Sequence, residues 1–266
     1  MKTRIISAII MGLIAIPILF IGGLPFKILI ILLSVASMYE ILKARKSRSE
    51  IPLAIRIISY VLVATFVFLG NSVYSANYEL IYKILIVIFL MYYLPVVFVD
   101  DTEKYSVTDA LYVLGSTIFL GVAYNSVILI SNNSINYLIY LLLITICTDS
   151  FAYFTGYFIG KNKMCEKISP KKTWEGAIGG SVIGTIIPVF FYLYLINPNV
   201  NIWLIIGITL LLSIIGQIGD LFFSSVKRHY KIKDFSNLIP GHGGILDRLD
   251  SIIFVTITFI LFMNIL

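Results

Sequence analysis

The sequence predicts an all-α, polytopic integral membrane protein with about nine transmembrane helices. Hydrophobic residues make up 59% of the 266 residues and charged residues only 13%, which is more apolar surface than one soluble core of this size needs. Apolar runs recur along the whole chain at the length of about 17 to 25 residues with which a helix crosses a bilayer. These runs do not alternate between apolar and polar residues, as the strands of a membrane barrel would.

Polar interruptions divide the apolar runs into nine candidate spans. They cover residues 5–21, 26–42, 51–69, 80–99, 110–130, 135–159, 178–196, 202–226 and 251–266. The first two runs are joined through Gly22, Gly23 and Pro25, so we interpret them as a retained hairpin rather than as a cleaved signal peptide. Because the last run is short and the first pair could instead form a shallow hairpin, eight to ten spans are compatible with the sequence.

The distribution of basic residues predicts the orientation of these spans. Lys and Arg are retained on the cytoplasmic side of short loops. With a cytoplasmic N-terminus, only Lys27 and Lys83 of the 20 basic residues fall on the outer side. The net charge of +6 is therefore mainly a topology signal, and we do not expect a nucleic acid partner.

The polar loops divide the chain into two functional regions. We expect residues 1–140 to form a scaffold of transmembrane helices that gives lipid access. Residues 141–266 are the predicted catalytic region, since both long polar loops, 161–177 and 227–250, lie there and are predicted to be cytoplasmic. The two cysteines form neither a CxxC pair nor a cluster with histidine, which argues against zinc and redox chemistry.

Two carboxylates, Asp149 and Asp220, interrupt apolar runs. A carboxylate inside a spanning helix costs about 2.5 to 3.5 kcal/mol on insertion scales, so each needs a partner, a metal ion, a proton or a water-filled cavity. A hydrogen bond between helices is the structural alternative. Helical spacing puts each residue on a polar stripe that leads into a polar loop. The stripes are Asp149, Tyr153, Gly156 and Gly160, and Gln217, Asp220, Ser224 and Lys227.

Glycines at four-residue spacing surround the first polar loop. They are Gly156 and Gly160 before the loop, and Gly176, Gly180 and Gly184 after it. This spacing is typical of close helix packing in lipid. The alternative is that Gly179 and Gly180 let a phosphate approach backbone N–H groups at a helix start.

The loop 161–177 has the residue types that bind phosphates. Lys171, Lys172 and Thr173 offer two cations and a hydroxyl for a polyphosphate, and Trp174 can stack on a base or lie at the membrane interface. Orientation alone, without any ligand, also explains the lysines of this loop.

The loop 227–250 combines cations with further carboxylates. Asp247 and Asp250 are spaced i, i+3 and share a helix face, where they are either helix caps or ligands. Asp220 with Asp247 offers the hard oxygen ligands that Mg²⁺ prefers, together with substrate phosphates. His242 lies between two glycines and is interpreted as a turn or substrate-orienting residue. No nucleophile triad is evident, so these groups indicate phosphoryl or nucleotidyl transfer.

The stretch from Ser225 to Asp250 resembles the signature of the phosphatidate cytidylyltransferases, the CDP-diacylglycerol synthases. The matching positions include Ser225, Lys227, Arg228, Lys233, Asp234, Ser236, Pro240, His242, Gly243, Gly244, Asp247, Arg248 and Asp250. The stretches 149–160, 169–176 and 216–220 are also similar to characteristic segments of this family. The resemblance is strong over residues 145–250, whereas residues 1–140 resemble the family only in hydropathy.

The resemblance implies transfer of the cytidylyl group of CTP to phosphatidic acid in the bilayer, with Mg²⁺ as cofactor. It implies Asp220 and Asp247 as metal ligands, supported by Asp250 or Asp149. It assigns Lys171, Lys172, Lys227, Arg228 and Arg248 to substrate phosphates, with His242, Thr173, Ser225, Lys233 and Tyr153 as further site residues. The enzyme would be a multi-pass protein of the inner, plasma membrane with a cytoplasmic active site. An additional monovalent cation and a homodimer are compatible with it.

Two other functions fit parts of the pattern. A CTP-dependent polyprenol or lipid kinase would handle metal and nucleotide similarly but would release CDP rather than pyrophosphate. A membrane transporter would use Asp149 and Asp220 as coupling sites. Transport is disfavoured, because the polar groups cluster at one face and in one half of the chain.

Overall fold

The computed structural model describes residues 2–45, 51–74, 78–98 and 105–266. Within them lie ten α-helices and one short hairpin. The first six helices are α1 (Lys2–Ile21), α2 (Gly23–Arg45), α3 (Leu53–Tyr74), α4 (Tyr78–Phe98), α5 (Val107–Asn133) and α6 (Ile135–Ile159). After them come β1 (Lys163–Cys165), β2 (Ser169–Thr173), α7 (Trp174–Gly184), α8 (Ile186–Leu195), α9 (Ile202–His229) and α10 (Leu246–Ile260).

The protein is a helical membrane protein, as predicted. Five segments of the described chain have both the length and the apolar composition to cross a bilayer: Gly23–Arg45, Val107–Asn133, Ile135–Ile159, Trp174–Leu195 and Ile202–His229. Three further apolar helices, Ile6–Ile21, Leu53–Leu69 and Tyr82–Phe98, are shorter. Each predicted span overlaps at least one helix of the described residues, while the count of nine spans and the orientation stay predictions. Lys46 and Arg48, and parts of the predicted loops 70–79 and 100–109, lie outside the described residues.

The seventh predicted span, 178–196, is two helices rather than one. Helix α7 begins earlier, at Trp174, and the chain breaks at Thr185 before α8. Pro188 explains the break, because it has no N–H for the carbonyl of Gly184 and its ring would clash with that carbonyl in a continuous helix. Proline is tolerated in the first turn of α8, where a backbone N–H would have no partner within the helix.

The first polar loop is an ordered hairpin, which the sequence analysis did not predict. Strands β1 and β2 are antiparallel, with Lys163 opposite Thr173 and Cys165 opposite Ser169. The Ile168 N–H donates to the Cys165 carbonyl at 3.1 Å and closes the turn. These strands are short and mostly polar, so they lack the apolar alternation by which strands are recognised. The hairpin places Lys171, Lys172 and Thr173 on one ordered strand.

The described chain forms two compact units. Unit 1 comprises residues 1–129 and 229–247 where described, and unit 2 comprises residues 130–228 and 248–266. In unit 1, Met38, Val63 and Ile88 are fully buried in the core. In unit 2, Tyr140 packs edge-on against Tyr192 and Phe259. The functional division at residue 140 stays a prediction.

Small residues bring α6 and α7 of unit 2 into close contact. A Cβ atom added at Gly180 would lie 2.6 Å from the Ala152 Cβ, and one at Gly184 would lie 2.9 Å from the Thr148 Cα. The packing interpretation of these glycines is therefore confirmed. The alternative of a phosphate site at Gly179 and Gly180 is wrong, because both lie inside α7 and face side chains or backbone of α6 rather than a helix start.

Candidate functional site

A cavity of about 500 Å³ in unit 2 is lined by α6, the hairpin, α7 and α9. Six residues predicted from the sequence line it: Asp149, Tyr153, Lys171, Lys172, Thr173 and Asp220. Lys163 of β1, which the sequence analysis did not single out, lines it as well. The volume is within the range of pockets that hold small ligands. The cavity therefore brings the first polar stripe, the hairpin and the second polar stripe together.

An ion pair between Lys172 and Asp220 lies at the centre of the polar wall. The Lys172 Nζ is 2.7 Å from the Asp220 Oδ2, with the two side chains 25% and 30% exposed. Lys172 also donates to the Gln217 carbonyl at 3.4 Å, and Ser224 donates to the other Asp220 oxygen at 3.3 Å. The Lys172 cation of β2 and the Asp220 carboxylate of α9 are thus held together where both remain partly accessible to solvent.

Two further carboxylates add negative charge near Asp220. Asp149 of α6 lines the same cavity and interacts electrostatically with Asp220 and Lys172. Asp250 of α10 interacts with Asp220, Asp149 and Lys227. These three carboxylates come from three different helices of unit 2. Like charges repel one another unless cations neutralise them, and Lys172 and Lys227 are cations that interact with these carboxylates.

The donor atoms around Asp220 fit Mg²⁺ in chemical type. Carboxylate oxygens are its preferred protein ligands, and one or two of them suffice when substrate phosphates and water complete the shell. Across the described residues, no three His, Cys, Asp or Glu side chains stand close enough to bind an ion together. An ion here would therefore rely on few protein ligands. The metal roles of Asp220, Asp247 and Asp250 stay predictions.

A buried hydrogen-bonded network lies beside the cavity and joins three helices. The Gln217 amide of α9 donates to the Ser181 hydroxyl at 2.7 Å and to the Ala177 carbonyl at 3.1 Å, both in α7. Ser213 pairs with Thr148 of α6 at 2.7 Å and donates to Ser181 at 3.2 Å. Gln217 belonged to a predicted stripe, but the three hydroxyl residues were missed because lone Ser and Thr in apolar helices are common. The network fixes α6, α7 and α9 around the cavity.

The start of α7 fixes the hairpin at the mouth of the cavity. The Thr173 hydroxyl accepts the Gly176 N–H at 3.1 Å and caps the helix. Glu175 accepts the Lys161 N–H at 3.1 Å and the Asn162 amide at 2.7 Å. The predicted ligand Thr173 therefore has a structural hydrogen bond that depends on its hydroxyl.

We expect Thr173→Ala to lower stability by about 1 kcal/mol, because one backbone N–H at the helix start loses its cap. The measurement is the thermal unfolding midpoint in detergent, and Thr173→Ser is the matched control because it keeps the hydroxyl. A midpoint for the alanine variant equal to that of the wild type would show that the cap does not contribute to stability.

The cationic end of α9 meets the hairpin. Arg228 donates through Nε to the Ile168 carbonyl at 3.3 Å, and Lys227 interacts with Asp250. Ser225 and Arg248 are exposed, and both belong to unit 2. Arg228 thus ties the α9 terminus to the turn of the hairpin, a contact that the sequence did not predict.

Three predicted residues, Lys233, His242 and Asp247, belong to unit 1. Lys233 is exposed. The Ser7 hydroxyl of α1 donates to the Pro240 carbonyl at 2.9 Å and lies 2.8 Å from the His242 Nδ1. Because a carbonyl only accepts, Ser7 uses its proton there, and Nδ1 is the donor to Ser7. This interaction holds the ring of His242, which lies in the turn at residues 240–242, and its substrate-orienting role stays a prediction.

Asp247, the second residue of α10, hydrogen-bonds to the backbone of the segment that precedes the helix. Its Oδ2 accepts the backbone N–H groups of Phe235 and Gly244, both at 2.9 Å. Neither Phe235 nor Gly244 belongs to α10, so the capping and metal-binding alternatives for Asp247 both stay predictions. Beside it, Glu40 of α2 is a fully buried carboxylate that the sequence analysis missed. Its only signal was an acidic residue in an otherwise apolar helix.

Comparison with known proteins places the chain in a family. A model described as the cytidylyltransferase family matches residues 2–266. A phosphatidate cytidylyltransferase of Staphylococcus haemolyticus (strain JCSC1435) is 35% identical over 256 residues, covering 96% of each chain. One of Bacillus subtilis (strain 168) is 35% identical over 260 residues, covering 96% of this chain and 94% of the relative. The match extends through residues 1–140, where the sequence analysis found only similar hydropathy. The chain belongs to the cytidylyltransferase family.

Proposed function

We propose that the protein transfers the cytidylyl group of CTP to phosphatidic acid. A phosphate oxygen of the lipid attacks the α-phosphorus of CTP, the bond from that phosphorus to the bridging oxygen of the β-phosphate breaks, and pyrophosphate leaves. The products are CDP-diacylglycerol and pyrophosphate. The observation that carries the proposal is the cavity in which Lys172 and Asp220 form an ion pair beside Lys163 and Lys171.

The lysines of the cavity supply what this reaction needs. An anionic phosphate oxygen is already a nucleophile, so the main obstacles are repulsion between anions and alignment at the phosphorus. Lys163, Lys171 and Lys172 lie on the two paired strands, so the hairpin presents them as one cationic surface. They bind the phosphates and stabilise the charge that develops on pyrophosphate as it leaves.

Asp220 is the residue that we propose to hold Mg²⁺, with Asp149 or Asp250 in support. The ion, when bound, neutralises charge on the nucleotide phosphates. Nucleotide phosphates would compete with Asp220 for Lys172, and the Asp220 carboxylate would then be available to hold the ion. The ion pair therefore keeps both groups neutralised until the substrate enters.

The positive-inside pattern supports the proposed orientation in the membrane. We propose nine spans, a cytoplasmic N-terminus and a cavity that opens at the cytoplasmic face of the plasma membrane, with CTP entering from water. Tyr153 and Tyr157 line the cavity and are largely exposed. Such amphipathic rings prefer the membrane interface, which supports entry of the lipid beside α6.

The decisive test is product analysis. Purified protein in mixed micelles with phosphatidic acid, labelled CTP and Mg²⁺ should give lipid-bound cytidine and pyrophosphate in equal amounts. Formation of CDP with a newly phosphorylated lipid would indicate a kinase instead. Failure to produce labelled lipid with any divalent ion would reject the enzymatic assignment. Omission of phosphatidic acid is the control.

A further inference from the structure

Glu40 of α2 is a buried carboxylate whose partners all come from one distant segment of unit 1. Its side chain is 0% exposed. It accepts hydrogen bonds from the Ser236 hydroxyl at 2.5 Å and from the backbone N–H groups of Ile245 and Leu246, both at 2.8 Å. Hydrogen bonds to a carboxylate are stronger than those between neutral groups. Glu40 thus ties α2 to residues about 200 positions later in the chain.

The position of this carboxylate suits a negative charge. Leu246 is the first residue of α10, so Glu40 accepts N–H groups that have no partner within the helix. The partial positive charge at a helix start further favours an anion. A neutral amide at residue 40 would supply only one acceptor oxygen and would turn its NH₂ group toward a donor.

Glu40 also explains one of the two adjacent glycines in the segment. A Cβ atom at Gly244 would lie 2.4 Å from the Glu40 Oε1, so a side chain there would displace the carboxylate. Gly243 is required for a different reason, because its φ of +90° disfavours other residues. The close approach of Glu40 thus dictates the residue type at position 244.

Asp247 holds the same segment, residues 243–247, through a different backbone N–H group. It accepts from Gly244, while Glu40 accepts from Ile245 and Leu246. Three consecutive N–H groups are therefore bound by two carboxylates. This arrangement fixes the backbone from which the Asp247 side chain projects.

We propose that Glu40 is a positioning residue that sets the conformation of residues 243–247, and through it the placement of the predicted site residue Asp247. The consequence for activity depends on the proposed function. The conformational part does not, because the N–H groups of Ile245 and Leu246 report on it directly.

The test compares Glu40→Gln with Ser37→Ala in the full chain. Ser37 lies one turn away on α2, is fully buried and hydrogen-bonds to Tyr124, so its replacement perturbs the same helix without removing any hydrogen bond that Glu40 accepts. Hydrogen exchange is measured by mass spectrometry for peptides spanning 235–250, with kcat and KM for CTP and phosphatidic acid. Thermal unfolding midpoints are recorded for each variant.

Glu40→Gln should accelerate exchange within 243–247 and lower kcat about 10-fold or more, since small misplacements at a reacting centre have large effects. The KM for phosphatidic acid should change less than about twofold. Ser236→Ala removes one of the three hydrogen bonds that Glu40 accepts, so it should change the exchange rate and kcat less than Glu40→Gln does. Ser37→Ala should change neither.

Two results would overturn the proposal. One is unchanged exchange within 243–247 in Glu40→Gln. The other is faster exchange spread evenly over unit 1, as from a general loss of stability. If exchange changes as expected but the wild type makes no CDP-diacylglycerol, the positioning of the turn stands and the proposed function fails.

Discussion

Asp220→Asn should lower kcat/KM for cytidylyl transfer by about 10²-fold or more, the loss typical when an electrostatic group at a reacting centre is removed. Asparagine keeps the shape of the side chain and an oxygen that can accept the hydrogen bond from Ser224. It lacks the negative charge that pairs with Lys172 and that a divalent ion requires. In free energy the loss corresponds to about 2.7 kcal/mol of transition-state stabilisation.

The measurement is initial rate against CTP and Mg²⁺ concentration in mixed micelles. Glu166→Gln is the matched control, because Glu166 is an exposed carboxylate in the turn between β1 and β2 and is not a cavity-lining residue. Its activity should equal that of the wild type. An Asp220→Asn protein that is folded in the membrane and retains near-normal kcat/KM would exclude a metal or charge role for this residue.

Lys172→Met should reduce kcat/KM for CTP by a similar factor of about 10². Methionine retains much of the apolar stem of lysine but removes the cation that pairs with Asp220 and that we assign to substrate phosphates. The carboxylates of Asp149 and Asp220 would then repel incoming phosphates without compensation from this residue. The effect should appear mainly in KM for CTP if Lys172 binds the ground state, and mainly in kcat if it stabilises the transition state.

Lys167→Met provides the control for charge at the hairpin, because Lys167 is exposed in the turn and is not among the residues that line the cavity. Its kcat/KM should stay within about twofold of the wild type, since a single exposed charge contributes little. The Lys172→Met, Asp220→Asn double variant should lose less than the product of the single losses, as expected for groups that act as a unit. An equal loss of kcat/KM in Lys172→Met and Lys167→Met would mean that activity depends on the total charge of the hairpin rather than on the cation at position 172.

Much of the candidate site was predictable because membrane insertion makes its residues conspicuous. Asp149 and Asp220 stand out in apolar helices, and helical spacing alone puts each on a polar stripe. The cavity joins these stripes with Lys171 and Lys172. The hairpin that carries the lysines was missed, since its strands have no apolar alternation. The break at Thr185 was missed because Pro188 was read as part of a continuous apolar run.

The sequence by itself determined that this is a helical membrane protein, where most of its helices lie, and which family it belongs to. Lipid demands long apolar helices, and the motif residues are local in the chain. Only the tertiary structure decided which distant residues form ion pairs and hydrogen bonds with one another. Lys172 and Asp220 are 48 positions apart, and Glu40 is 205 positions from Ile245. The hydrogen bonds of a buried carboxylate depend on which backbone groups folding brings close to it. Sequence periodicity does not predict these long-range partners.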